Sequence, residues 1–166
     1  RRRHAPPPGL IFPGFRAVAV MPAPLSSRDF ERYERALADA RLHHRPVAIL
    51  DLERFDANAR ALKKRAGDTP IRTATKSLRV PFLIERAERA FGGGLLAFSL
   101  AEALDLVEEG FGDILVAYPT SDFDALRRLV TSERALASVT LMVDSLGHAD
   151  MIEAIRRTSR STNAPV

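Results

Sequence analysis

From residue 26 onward the chain alternates between apolar positions spaced three and four apart and short unbroken apolar runs. Phe30, Tyr33, Leu37 and Ala40 recur at helical spacing and predict a helix over 26–42, with Ser27 able to cap its start. "VAILDL" (47–52) reads as a buried-type strand. The helix predicted over 53–66 places Phe55, Ala59, Leu62 and Ala66 on one face, and Gly67 supplies its stop. "IRTAT" (71–75) is a second strand, and Pro81 then opens "FLIERAERAF", which runs until Gly92-Gly93-Gly94. "LLAF" (95–98) is a third strand. Ser99 and Glu102 after it have the spacing of a capping box, for a helix carrying Leu100, Leu104 and Val107 and ending at Gly110. "DILVAY" (113–118) is the fourth strand, followed by a helix over 122–130. "VTLMVD" (139–144) is the fifth, followed by a helix near 148–158.

Strand starts near 47, 71, 95, 114 and 139 repeat a strand–helix unit, which requires parallel strands joined by crossover helices. Near-continuous apolar strands such as "ILVAY" and "VTLMV" predict a sheet covered on both faces. No G-x-G-x-x-G follows the first strand, which disfavours dinucleotide binding. The expected class is α/β, a partial (β/α)8 TIM-type barrel of about five strand–helix units. A whole barrel needs roughly 250 residues, so an N-terminal fragment with open sheet edges is expected. The expected organisation is a disordered Pro/Arg-rich leader (1–24), an N-terminal helix and loop (25–46), the partial barrel (47–158) and a tail (159–166).

Charge sharpens this picture by subtraction. The net charge is +4, and residues 1–24 hold four arginines (Arg1, Arg2, Arg3, Arg16) and no acid. Outside them 21 basic residues face 21 acidic ones, so the body offers no broad footprint for a phosphate backbone. No nucleic-acid partner is expected. The leader also carries six of the eleven prolines. Its basic residues precede an apolar stretch as in a signal peptide, but Pro13 and Arg16 interrupt that stretch. No segment is long enough to span a membrane. The absence of cysteine removes disulfides and thiolate chemistry and fits a reducing compartment, so a cytoplasmic location is expected. His43 and His44 are adjacent loop residues without the spacing of a helical metal-ligand pair, and no metal is expected.

Only three of the 25 basic residues are lysines: Lys63, Lys64 and Lys76. In a chain this rich in arginine, a lone lysine at a strand end marks a place where an amine could serve and a guanidinium could not. Barrel chemistry gathers at the C-terminal ends of strands. Those ends are Asp51, Lys76, Phe98-Ser99, Tyr118 and Asp144-Ser145. Alternation puts Lys76, Ala74 and Arg72 on one face of their strand and Thr73 and Thr75 on the other. Pattern alone leaves two readings of Lys76 open: a partly desolvated amine that forms a Schiff base with a carbonyl, or a surface lysine capping the strand. Tyr118 is either a pocket residue or rim packing, and Ser99 reads first as a helix cap. Asp144 either orients a pocket group or caps the next helix, and His148 reads as surface or packing.

"VAILDLERFDANARAL", followed about a dozen residues later by "IRTATKS", resembles the start of the alanine-racemase-type, fold-type III pyridoxal-phosphate enzymes. The positions that carry the resemblance are Asp51-Leu52-Glu53, Asn58 and Lys76. With "ILVAYP" at 114–119, the chain is most similar to the branch of D-threonine aldolases, D-serine dehydratase-like enzymes and amino acid deaminases. The likeness covers roughly residues 26–157. The aldolase branch has histidines flanking its lysine, where this chain has Ala74 and Leu78, with Ser77 in place of a threonine.

The resemblance implies a lyase or isomerase acting on amino acids, with pyridoxal 5'-phosphate held by Lys76 through a Schiff base. It makes Lys76 the catalytic residue and general acid or base. Lys76, Tyr118, Asp51 and Arg79 become the cofactor-binding candidates, Arg79 also being a candidate to hold an anionic group or a plain helix-entry residue. It implies a frequent homodimer, a phosphate cup after barrel strands 7–8 and a second, β-rich domain. Both would lie beyond this chain, so activity is not expected from it alone. A non-catalytic pyridoxal-phosphate carrier on the same barrel is the alternative.

Overall fold

The computed structural model describes residues 24–42 and 46–162, and the chain divides into two compact units, residues 1–54 and 55–166. The leader and the His43-His44 pair therefore fall almost wholly outside the described residues.

In the first unit, helix α1 spans Ser27–Asp39. Its cap is Ser26, one residue before the expected Ser27. The Ser26 hydroxyl accepts from the Asp29 amide at 3.3 Å, and the Asp29 carboxylate accepts from the Ser26 amide at 2.8 Å. A box started at Ser27 would need Phe30 to answer, and Phe30 has no acceptor. Residues 47–50 do not form the expected first strand, and Val47, Ile49 and Leu50 are exposed. Their apolarity marks them as buriable, but a strand exists only through a paired neighbour, which local composition does not supply. Asp51 ends this stretch by accepting from the Arg54 amide at 3.1 Å, which starts helix α2 (Leu52–Ala66).

The second unit runs from the body of α2 into strand β1 (Thr73–Ala74), a 3-10 turn (Thr75–Ser77) and helix α3 (Pro81–Phe91). Strand β2 (Leu95–Ala97), helix α4 (Leu100–Glu108) and strand β3 (Ile114–Val116) follow. Helices α5 (Phe123–Thr131) and α6 (Glu133–Ser138), strand β4 (Val139–Leu141) and helix α7 (Leu146–Thr162) complete it. The sequence pattern does not reveal α6. Ser132 ends α5 and caps α6 with its own hydroxyl, and the six-residue helix is too short to show a period. The sheet is parallel throughout, in the order β1-β2-β3-β4, with no reversal of strand order.

Register explains the burial. Thr73, Leu95, Ile114 and Val139 share one row, and Ala74, Leu96, Leu115 and Thr140 the next. Thr73, Thr75, Leu95, Ala97, Ile114 and Val116 are buried, packed in a core with Ile84, Leu100, Leu104, Val107 and Leu126 from the helices. Ala74, Leu96 and Leu115 are only half-buried and Thr140 is exposed. The expected cover on both faces is thus present on one face among the described residues.

The N-terminal ends of the strands are laced by Arg72. Its guanidinium donates to the Leu95 carbonyl at 3.0 Å, to the Asp113 carbonyl at 2.7 Å and to the Asp113 carboxylate at 2.8 Å. Gly92-Gly93-Gly94 lets β2 come this close. Gly92 caps α3 with φ of 63°. A Cβ on Gly93 would run into the backbone carbonyl of Ile71, and one on Gly94, whose φ is 75°, would collide with Asp113.

Helices α2 and α3 are pinned by Arg86, which donates to Asp56 at 2.7 and 2.6 Å. The Arg86 hydrogen bonds, and then the Arg86 and Arg60 charges, hold the Asp56 carboxyl below its ordinary value of 3.8.

Two outcomes follow. Gly92→Ala meets open space and costs only the left-handed backbone, about 1 kcal/mol. Gly93→Ala must displace backbone and costs more than about 2 kcal/mol. Urea unfolding of the two variants checks that order. For Asp56, the folded value lies below the unfolded one. Its stabilisation is therefore complete above pH 3.8 and fades as pH falls from there toward the folded value. The stability gap between the native chain and Asp56→Asn should stay constant down to that pH and shrink below it. A gap unchanged in acid would contradict the assignment.

Candidate functional site

Lys76 stands in the 3-10 turn directly after β1, because Thr75 anchors that turn from the buried side. The Thr75 side chain is fully buried, and its hydroxyl donates to the Leu96 carbonyl at 3.2 Å. Alternation then turns Lys76 to the opposite face, where it is exposed. Leu96 is the register partner of Ala74; a two-residue step past both strand ends would put Phe98 in one row with Lys76, and both are exposed. Tyr118 reaches that place differently. Strict alternation would give Ala117 the row, but β3 ends at Val116 and the chain bends at Tyr118.

The result is a small cluster drawn from the C-terminal ends of three successive strands. The Lys76 ammonium donates to the Tyr118 hydroxyl at 2.9 Å, and its nitrogen lies 5.4 Å from the centre of the Tyr118 ring. The Phe98 and Tyr118 rings meet at 5.6 Å between centroids with a tilt of 58°. Both rings keep about half their surface in solvent, 53% for Phe98 and 43% for Tyr118. Large aromatics left this open beside an amine form a wall with vacant surface.

Lys76 also borders a cleft of about 500 Å3, together with Arg79, Ile84, Phe98, Ser99 and Glu102. Arg79 donates from Nε to the Lys76 carbonyl at 3.3 Å. Ser99 acts as the cap of α4, accepting from the Glu102 amide at 3.2 Å. The capping carboxylate returns one residue further than expected. Glu102 accepts from the Phe98 amide at 2.8 Å, which holds the backbone that presents the Phe98 ring.

The structure thus brings the Lys76 amine to Tyr118 and Arg79 to the Lys76 backbone. Asp51 has its partners in the first unit. There Arg32 pairs with it and the Tyr33 hydroxyl donates to it at 2.7 Å. The Tyr33 hydroxyl first, then the Arg54 amide and the Arg32 charge, hold its carboxyl below the usual range. At the end of β4, Ser145 caps α7 through the His148 amide at 3.1 Å, and Asp144 lies 3.6 Å from the His148 ring. His148 takes the packing role. Its Nε2 lies 2.8 Å from the Thr120 carbonyl, which only accepts, so Nε2 carries a proton and ties α7 to the loop that follows Tyr118.

Glu102 is the residue that sequence reasoning left out of the site, and Phe98 was named there only as a strand end, not as a cofactor-binding candidate. The two-residue step from Leu96 was the available signal for Phe98. For Glu102 it was the capping-box spacing, which pointed to the helix end and not to the residue before it. No group of three or more potential metal ligands comes together among the described residues, and no helix among them is long and apolar enough to cross a membrane.

The site is exposed and the strand beneath it is not, so the two should separate under mutation. Tyr118→Phe removes one solvent-exposed hydrogen bond and should shift stability by no more than about 0.5 kcal/mol. Thr75→Val leaves the Leu96 carbonyl without its donor and should cost about 1 kcal/mol. Thermal unfolding of both variants reads the difference. Compared with known proteins, the chain matches no family model and no curated protein.

Proposed function

We propose that this chain is the barrel-forming part of a pyridoxal-phosphate-dependent protein acting on amino acids, of the D-threonine aldolase, D-serine dehydratase/deaminase or racemase type. The observation that carries the reading is the Lys76 amine, 2.9 Å from the Tyr118 hydroxyl at the C-terminal edge of the sheet. The unreversed strand order supports completion as a barrel, in which that edge is the chemical one. A doubly wound sheet would place its ligand where the strand order reverses.

The residues present fit the cofactor. An accessible primary amine is the group a pyridoxal aldehyde needs, and the open faces of Phe98 and Tyr118 suit a flat heteroaromatic ring. When bound, pyridoxal phosphate supplies an electron sink for the charge left when a bond at the substrate's α-carbon breaks. Lys76 contributes the attachment point and, once released, an amine able to take or return a proton at that carbon. Tyr118 holds the Lys76 nitrogen in place through its hydroxyl. Glu102 fixes the backbone of Phe98, whose ring packs against Tyr118.

Titrating the purified chain with pyridoxal phosphate should produce the visible absorption band of a lysine-bound cofactor. Borohydride reduction followed by peptide mapping should place the cofactor on Lys76, and Lys76→Ala should lose the band. A band that persists in the variant, or a label spread evenly over Lys63, Lys64 and Lys76, would sink the assignment. Specific loading on Lys76 without turnover of any amino acid, in a longer chain as well as this one, would favour the carrier alternative.

A further inference from the structure

We infer that Arg79 is the carboxylate-recognising residue of this site, so that its ligands are α-amino or α-oxo acids and not simple amines or aldehydes. The inference deepens the proposed function and rests on its reading of Lys76 as the reactive amine.

The backbone at Arg79 is unusual for its residue type. Its φ is +53°, in the left-handed region that a long side chain occupies at a cost. The turn that imposes it is closed twice on one carbonyl: the Leu78 and Arg79 amides donate to Thr75 O at 2.9 and 2.8 Å. Glycine would satisfy such a turn without strain. The arginine is instead folded back, with Nε on the carbonyl of Lys76 at 3.3 Å, so the guanidinium stays beside the residue that carries the amine.

The rest of the guanidinium is unspent. Arg79 lines the same cleft as Glu102, Asp105 and Glu109, yet it forms no ion pair with any of them among the described residues. Two of those acids are engaged elsewhere: Glu102 accepts from the Phe98 amide, and Asp105 pairs with Arg128 at 3.3 Å. The terminal nitrogens of Arg79 remain a planar fork of donors in an open cleft, the geometry that grips a carboxylate with two parallel hydrogen bonds. An α-amino acid carries its carboxylate one bond from the carbon that bears its nitrogen. A ligand reacting at Lys76 therefore brings its carboxylate close to that nitrogen, at the cleft that Lys76 and Arg79 both line.

Reductive labelling of the full chain tests this without the cofactor. Glyoxylate carries the carboxylate and acetaldehyde does not. In either case the lysine nitrogen attacks the aldehyde carbon and water leaves. Hydride from cyanoborohydride then reduces the C=N bond to a secondary amine. Peptide mapping follows Lys76, with Lys63 and Lys64 as internal references. Glyoxylate should label Lys76 about tenfold faster than the references, the worth of one charge-assisted contact. Arg79→Gln should remove that preference while leaving acetaldehyde labelling of Lys76 within about twofold. Arg79→Lys, which keeps the charge and loses the fork, should recover only part of it. Equal slowing with both aldehydes, or no change in Arg79→Gln, would overturn the assignment. A preference that survives while pyridoxal phosphate fails to load on Lys76 would remove the cofactor reading alone.

Discussion

The register of β1 against β2 is fixed by side chains at both ends of a strand only two residues long. At the lower end Arg72 spans to Leu95 and Asp113, so one guanidinium ties β1, β2 and the approach to β3. At the upper end the buried Thr75 hydroxyl bonds the Leu96 carbonyl. Just before Arg72, the closeness of Gly93 to Ile71 leaves no room for a different spacing. A slip of one residue would turn Lys76 into the core and Thr75 out of it. The position of the amine beside Tyr118 and Phe98 is thus a consequence of backbone register, which the core beneath enforces. The core itself is ordinary close packing of Leu95, Ile114, Leu100 and Leu126, all nearly free of solvent.

Much of this was legible in the sequence, and the parts that were share a cause. Helices α3 and α4 announce themselves through local signals: Pro81 at an N-terminus, Gly92 at a C-terminus and Ser99 as a cap. The facing of β1 followed from alternation, with Thr73 and Thr75 buried and Lys76 exposed. What local signals could not supply was pairing. Residues 47–50 have the composition of a strand and no strand geometry, whereas the two residues of β1 qualify through their register with Leu95 and Leu96. The contact of Lys76 with Tyr118 joins residues 42 positions apart. It depends on a bend after β3 that alternation alone would have placed one residue earlier.

Charge plays two distinct parts. Asp56 is paired with Arg86, and Asp51 is held by the Tyr33 hydroxyl first, then by the Arg54 amide and Arg32; each carboxyl lies below its usual range for those reasons. Arg79 differs: among the described residues its side chain bonds a backbone carbonyl and no carboxylate, in a strained turn next to the one lysine that stands apart from the others. An exposed amine, two half-exposed aromatic residues and a guanidinium without an ion pair among the described residues contribute little to stability, and the proposed ligand chemistry rests on them.

A crystal structure of the chain grown with pyridoxal phosphate tests the central claim most directly. The account predicts continuous density between the Lys76 side-chain nitrogen and the cofactor, with the ring against Phe98 and Tyr118. A cofactor bound away from Lys76, or a Lys76 side chain that keeps its contact with Tyr118 while the cofactor sits elsewhere, would contradict it.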